Sequence, residues 1–176
     1  MRMNDILLKR SKANTDISEH LTTLYMLAVE FRCKIIMELG VGTGESTVAF
    51  LMAARETGGH VYSVDRDACP VAEERVRTLG LHGWWTFTQE DDIGATWWRI
   101  DAIDMLFIDT DHEYNHTLAE LMKFEPLVRH GGIIAMHDSV HDPPVRQAAM
   151  DYFRDGKSDT SIYEYLNNNG LLVIFK

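Results

Sequence analysis

The chain has 176 residues, enough for one domain with a sizeable core. Asp and Glu number 27 against 17 Lys and Arg, a net charge of −10; nucleic-acid binding draws on a basic face, so this balance argues against such a partner. No apolar run is long enough to span a bilayer or to act as a signal peptide, so a cytoplasmic protein with no membrane partner is expected.

The N-terminus carries a short apolar piece, Ile6-Leu7-Leu8, and then Lys9-Arg10-Ser11-Lys12, which reads as a solvated tail. Asp16-Ile17-Ser18-Glu19 has the form of a capping box. Leu21, Leu24, Tyr25, Ala28 and Phe31 follow at helical spacing. Residues 34–39 read as a strand that runs into the glycine loop Gly40-Val41-Gly42-Thr43-Gly44. A helix over 46–55 closes at Gly58-Gly59, and a second strand over 60–64 ends at Asp65. A helix over 68–79, a strand over 84–88 and a nearly all-apolar strand over 103–108 come next. The pattern then predicts a helix over 118–128 stopped by Gly131-Gly132, and a strand over 133–136. Pro143-Pro144 opens a helix to Phe153, and 161–166 with 171–176 flank Asn167-Asn168-Asn169-Gly170 as a hairpin. Cys33 and Cys69 lie far apart and read as reduced, buried thiols.

Strands alternating with helices predict a doubly wound α/β fold with a mostly parallel sheet; the closing hairpin requires one antiparallel strand. Ligands of such sheets bind beyond the carboxyl ends of the strands. The acidic groups collect at those ends: Glu38 before the glycine loop, Asp65, Glu90-Asp91-Asp92, Asp109-Thr110-Asp111, and His137-Asp138. The stretch "FIDTDHEYNHT" behind the apolar strand also contains His112-Glu113-Tyr114-Asn115-His116, a match to the zinc-protease pattern H-E-x-x-H. That match falls where a strand turns into a helix, with no third ligand in view, so a solvated first turn is the preferred reading of Glu113 and His116.

The glycine loop resembles the dinucleotide fingerprint G-x-G-x-x-G, but Glu45 stands where the last glycine belongs. A carboxylate there would repel a pyrophosphate. A ligand bearing a sulfonium and an ammonium fits better, and S-adenosylmethionine is such a ligand.

"MELGVGTGES", "YSVDRD", "FTQEDD", "IDMLFIDTDH" and "HGGIIAMHD" resemble, in order and spacing, the motifs of class I S-adenosylmethionine-dependent methyltransferases, over residues 35–153. Within that class the chain resembles the small-molecule O-methyltransferases related to cephalosporin hydroxylase-like, macrolide and aminocoumarin sugar methyltransferases. The resemblance implies a Rossmann-like methyltransferase fold with a seven-stranded sheet and an antiparallel C-terminal hairpin strand. It implies that Glu38 and the backbone of Gly40, Gly42 and Gly44 line the methionine part of the cofactor. Asp65 would accept hydrogen bonds from both ribose hydroxyls, and Asp91 or Asp92 would meet the adenine amino group. Asp109 and Asp138 would hold a divalent cation, magnesium by the oxygen chemistry of those ligands. Asp111, His112 and His137 are the candidate bases that would take the proton of the acceptor hydroxyl.

One departure is visible in the sequence. Relatives carry two adjacent oxygen ligands after the fifth strand, and this chain has His137-Asp138-Ser139. Either the metal differs, a water completes its shell, or the enzyme works without metal. Residues 1–31 form an N-terminal arm or cap, for the acceptor or for a homo-oligomer, and 32–176 form the cofactor-binding domain. Alternatives to small-molecule methylation are a non-catalytic S-adenosylmethionine binder and a methyltransferase for nucleic acid or protein. Asp142-Pro143-Pro144 resembles the loop of nucleic-acid amino-methyltransferases but follows the wrong strand and lacks the aromatic. The pairs Trp84-Trp85 and Trp97-Trp98 read as core residues.

Overall fold

The computed structural model describes residues 3–94, 100, 102–154 and 160–176, without the side chains of residues 3 and 4. Seven strands form one sheet in the order β3-β2-β1-β4-β5-β7-β6. They are β1 (Ile35–Leu39), β2 (His60–Asp65), β3 (Trp85–Gln89), β4 (Ile103–Ile108), β5 (Val128–His137), β6 (Ser161–Tyr165) and β7 (Leu171–Phe175). The pairs from β3 to β5 are parallel; β7 runs antiparallel to both β5 and β6. The α/β class, the parallel sheet and the antiparallel hairpin strand are as the sequence predicts. The strand order reverses between β1 and β4, and the cleft of such a fold lies there.

The alternation of side chains along a strand builds two cores. Ile36, Met105, Phe107 and Ile133 face one side, where they meet Leu21, Leu24 and Ala28 of α2 (Leu21–Glu30) and Val48 and Leu51 of α3 (Glu45–Thr57). Met37, Leu106, Ile108 and Ile134 face the other side, against Leu121 and Phe124 of α5 (Tyr114–Phe124) and Val145 and Ala149 of α6 (Pro143–Arg154). Helix α4 (Pro70–Thr78) links β2 to β3 and sends Val76 into the first core. Among the described residues no helix is long and apolar enough to cross a membrane. Cys33 and Cys69 are buried and free. Trp85 packs beside the first core and stacks on Phe87 at 5.4 Å; Trp97 and Trp98 lie outside the described residues.

Four local expectations need correction. Lys9 and Arg10, expected in a solvated tail, instead end α1 (Met3–Arg10), which buried Leu7 anchors, and Arg10 pairs with Glu45 at 2.5 Å. The capping box does not close. Asn168 Oδ1 from the distant hairpin accepts from the Glu19 N–H at 2.9 Å, and residues 18–20 make a 3-10 turn before α2. Helix α5 starts at Tyr114 and stops at Phe124, earlier than predicted, because Pro126 sits in the 3-10 turn Glu125–Leu127. Strand β5 therefore begins at Val128, and Gly131-Gly132 lie within it rather than behind a helix.

Candidate functional site

The glycine loop is shaped by close approach. Gly40, Gly42 and Gly44 have φ of 87°, 51° and 79°, the left-handed region that favours glycine. A β-carbon on Gly40 would stand 1.9 Å from the Asp109 carbonyl oxygen, so only glycine lets the loop lie against the end of β4. Glu38 lies beneath the loop and does not reach the cleft, contrary to the expectation that it lines the methionine part. It is fully buried, and its carboxylate accepts from the Ser46, Thr47 and Ser63 hydroxyls. Burial pushes its pKa up to about 7, against the pull of those hydroxyls. Glu45 in the first turn of α3 is flanked by Arg10 at 2.5 Å and Arg75 at 2.8 Å. Its charge is compensated, so it does not by itself exclude a pyrophosphate.

Asp65 ends β2 and ties the loop down. Its Oδ2 accepts from the backbone N–H of Val41 at 2.8 Å and of Gly42 at 3.0 Å, and its Oδ1 from that of Asp67 at 2.8 Å. Burial alone would raise its pKa, but these donors outweigh it and hold the carboxylate below its ordinary value. Backbone donors take three of about four acceptor positions on a carboxylate. The Cys69 thiol also bonds to this carboxylate, so the two further donors expected from the sequence do not both fit there without moving the loop.

Two lobes of a cleft meet over this loop, and both are lined by Gly40, Gly42 and Asp109. One lobe runs over Asp65, Asp91, Asp92 and Asp111; the other runs over Thr43, Ser46 and the N-terminal residues Thr15, Asp16 and Ile17. Asp111 belongs to the first lobe, where it pairs with Arg66 at 3.1 Å. Asp91 accepts from the Gly94 N–H at 2.7 Å. Asp92 is buried and faces His116 Nε2 at 3.3 Å, which stands 3.7 Å from Glu120. Burial first, and Asp92 next, push the Glu120 carboxyl up to about 9, so it keeps its proton at neutral pH; the Thr110 hydroxyl donates to it at 2.6 Å. His116 is thus one member of a polar cluster with Asp92, Glu120 and Thr110 rather than a solvated residue.

The other candidate residues gather at the ends of β4 and β5. Asp138 sits at φ 58°, and its Oδ2 lies 3.1 Å from both His112 Nε2 and His137 Nδ1. The contact with His112 is not an aligned hydrogen bond. Asp109 Oδ1 stands 3.7 Å from His112 Nε2 and 3.5 Å from His137 Nδ1. His112 Nδ1 faces Asp142 at 3.0 Å. His137 is buried, with its Nε2 toward the carbonyl oxygens of Asp16 and Asn168. Asp109 and Asp138 push the His112 pKa up to about 10. Burial opposes the same shift in His137, but the two carboxylates prevail and its pKa is also pushed up to about 10. Burial opposes ionisation of Asp109 and Asp138, yet the histidines hold both pKa values below the ordinary carboxylate range.

The structure therefore brings Asp109, His112, His137 and Asp138 together and separates Asp111 from them. It also divides the H-E-x-x-H stretch: His112 turns to Asp138 and Asp142, and His116 to Asp92 and Glu120. The two histidines do not converge as a zinc pair must. Three participants were not expected from the sequence: Asp142, Glu120, and Asn169, whose amide donates to Asp138 Oδ1 at 2.8 Å. A run of asparagines at a hairpin tip hints at left-handed turns, but nothing local reveals what its side chains reach.

Residues 37–139, more than half of the chain, match a family model described as a methyltransferase domain. An S-adenosylhomocysteine-bound methyltransferase from Podospora anserina superposes with a TM-score of 0.76, at 12% identity, over 97% of this chain and 87% of its own. An O-methyltransferase from Bacillus cereus in complex with S-adenosylhomocysteine gives 0.72, at 14% identity, over 99% of this chain and 89% of its own. A methyltransferase from Geobacter sulfurreducens gives 0.73, at 18% identity, over 99% and 85%. At such identities the likeness is one of fold. No curated protein matches the chain at a significant level.

Proposed function

Because the chain belongs to the methyltransferase-domain family, we propose that it transfers a methyl group from S-adenosylmethionine to a hydroxyl of a small molecule. The observation that carries this reading is the two-lobed cleft over the glycine loop, with Asp65 in one lobe and Asp109 common to both. Adenosine takes the lobe of Asp65, with one ribose hydroxyl on that carboxylate and the adenine amino group toward Asp91 or Asp92. The methionine portion crosses the loop into the lobe closed by Thr15, Asp16 and Ile17. On this reading residues 1–31 are a cap, and 32–176 form the methyltransferase domain.

In the reaction the acceptor oxygen forms a bond to the methyl carbon as the carbon–sulfur bond breaks. The sulfonium becomes a neutral thioether, and the hydroxyl proton moves to a base. In-line positioning supplies most of the rate. Of the three candidate bases, Asp111 is engaged by Arg66 on the adenosine side, and His137 is buried. His112 remains. It stands 3.7 Å from Asp109, which both lobes share, and faces Asp142 through its other nitrogen. Its neutral form, the one that accepts a proton, grows as pH rises toward 10, so turnover should rise with pH over that range. A base held by a third group is the usual arrangement for such a task.

Magnesium is a poor fit to these residues. It favours oxygen ligands in near-octahedral geometry, whereas the oxygens of Asp109 and Asp138 face imidazole nitrogens. No step of the transfer is assigned to it.

The test uses S-adenosylmethionine labelled in its methyl group and a chemically varied set of small hydroxyl compounds, with RNA and bulk protein as comparisons. Label is expected in a hydroxyl compound. Label in RNA or protein alone would overturn the acceptor class, and no S-adenosylhomocysteine under any condition would overturn the reaction.

A further inference from the structure

The N-terminal segment over the methionine lobe is held by the far end of the chain. Thr15, Asp16 and Ile17 line that lobe, and Ile17 is buried in the first core. Residues 11–17 belong to no helix or strand. Their backbone bonds are local: Ala13 N–H donates to the Arg10 carbonyl, Ser18 N–H to that of Thr15, and His20 N–H to that of Ile17. The contacts that fix the segment come from the hairpin tip between β6 and β7. Asn168 grips it with both amide atoms. Its Oδ1 accepts from the Glu19 N–H at 2.9 Å, and its Nδ2 donates to the Thr15 carbonyl at 2.9 Å. Asn167 Nδ2 donates to the Glu19 carboxylate at 2.5 Å. His20 Nε2 faces the carbonyl oxygens of Asn167 and Asn168 at 2.9 and 3.1 Å; these only accept, so the ring donates. His137 Nε2, at the end of β5, adds a bond to the Asp16 carbonyl at 3.1 Å.

The tip itself is firmly mounted. β7 pairs with β5 as far as His137 opposite Leu171, directly behind the turn. The Asn169 carbonyl accepts from the Val140 and His141 N–H at 2.9 Å each, and its amide donates to Asp138 Oδ1 at 2.8 Å. Asn168 and Asn169 sit at φ 46° and 67°, a left-handed backbone that asparagine tolerates better than most residues. Asparagine therefore serves twice here, in the turn and in what its amide reaches. Of the two partners the tip is the fixed one, and a segment with few bonds of its own opens at low cost.

We propose that Asn167 and Asn168 are positioning residues that clasp residues 15–20 over the methionine lobe, and that the cofactor leaves when this clasp opens. Opening of a closed loop sets the rate of release in many enzymes. One turn then serves two parts of the site: the cap through Asn167 and Asn168, and Asp138 through Asn169. The inference deepens the methyl-transfer reading and rests on it for the cofactor's place in the lobe.

The experiment uses the full chain and S-adenosylhomocysteine. Its release rate is read by surface plasmon resonance, and amide hydrogen exchange is followed over residues 15–20. In the wild type, S-adenosylhomocysteine should slow that exchange. Asn168→Gly removes the amide and accepts the left-handed backbone. It should raise the release rate about 5- to 100-fold, the effect of losing two hydrogen bonds. It should also speed exchange over residues 15–20 and leave α3 unchanged. Glu19→Ala, at an exposed position, removes the carboxylate that Asn167 holds and should raise the release rate about 2- to 5-fold. If Asn168→Gly does not fold, Glu19→Ala decides. A role confined to folding would lower the urea midpoint and leave the release rate as in the wild type. An unaltered release rate, or exchange over residues 15–20 that S-adenosylhomocysteine does not slow, would overturn the clasp alone. A wild-type chain that binds no S-adenosylhomocysteine would overturn the methyl-transfer reading, and the clasp with it.

Discussion

His112 and His116 are four residues apart in the sequence, yet they serve two clusters of opposite character. Around His116 the surplus of negative charge is settled by a proton. Glu120 is buried beside Asp92, its carboxyl is pushed up to about 9, and the Thr110 hydroxyl donates to it. Around His112 both Asp109 and Asp138 are held below the ordinary carboxylate range. Their charge persists at neutral pH, and imidazoles or a cation must balance it. Similar residue types therefore give a network that holds a proton on a carboxyl in one place and one whose carboxylates stay charged in the other. Only the second has the character that proton transfer or ion binding needs.

The comparison breaks first if the histidines are interchangeable. His112→Gln should lower turnover by a factor of about 100 to 10,000, the usual span for a general base, with S-adenosylhomocysteine affinity unchanged. His116→Gln should leave turnover within about tenfold. Steady-state rates with the identified acceptor check both, and equal losses would remove the distinction.

A smaller effect concerns the loop between the clusters. Gly40→Ala sets a β-carbon against the Asp109 carbonyl and strains a left-handed backbone. It should cost about 2–4 kcal/mol in urea denaturation. A neutral result would mean that the loop and β4 are not held as close as 1.9 Å implies.

The smallest effect sharpens the contrast through pH. The folded pKa of Glu120 is raised to about 9 from 4.5. Stability from the protonated form is therefore complete below about pH 4.5 and fades as pH rises toward 9. Glu120→Gln keeps the neutral shape, so at pH 5 it should change stability by less than about 1 kcal/mol. It should exceed wild type at pH 9. Denaturation at both pH values checks this, and a variant that loses as much at pH 9 as at pH 5 would show Glu120 to be ionised in the fold.

Much of the frame was legible in the sequence, because local signals carry it. Apolar runs, Gly58 behind α3, and the Asn-rich turn set strands, helix ends and hairpin in the right order. The strand-end acids were found because a parallel sheet must present its carboxyl ends on one rim. What escaped depends on contacts across long stretches of chain. The Asp16-to-Glu19 capping pattern is displaced by Asn168, a residue 149 positions from Glu19. Alternation along β5 could not tell whether His137, at its end, faces the cleft or the hairpin. Glu38 looked like a cleft residue, but the hydroxyls that bury it come from α3 and β2. Asp111 looked like the base because it follows Asp109 by two, and Arg66, which draws it to the other lobe, comes from the loop after β2.

The central claim is that the glycine loop and Asp65 hold S-adenosylmethionine, and calorimetric titration tests it most directly. S-adenosylhomocysteine should bind with one site per chain, and more tightly than NAD. Asp65→Ala should weaken that binding by about 1–3 kcal/mol, the cost of leaving buried donors without a partner. Saturable NAD binding with no response to S-adenosylhomocysteine would contradict the account.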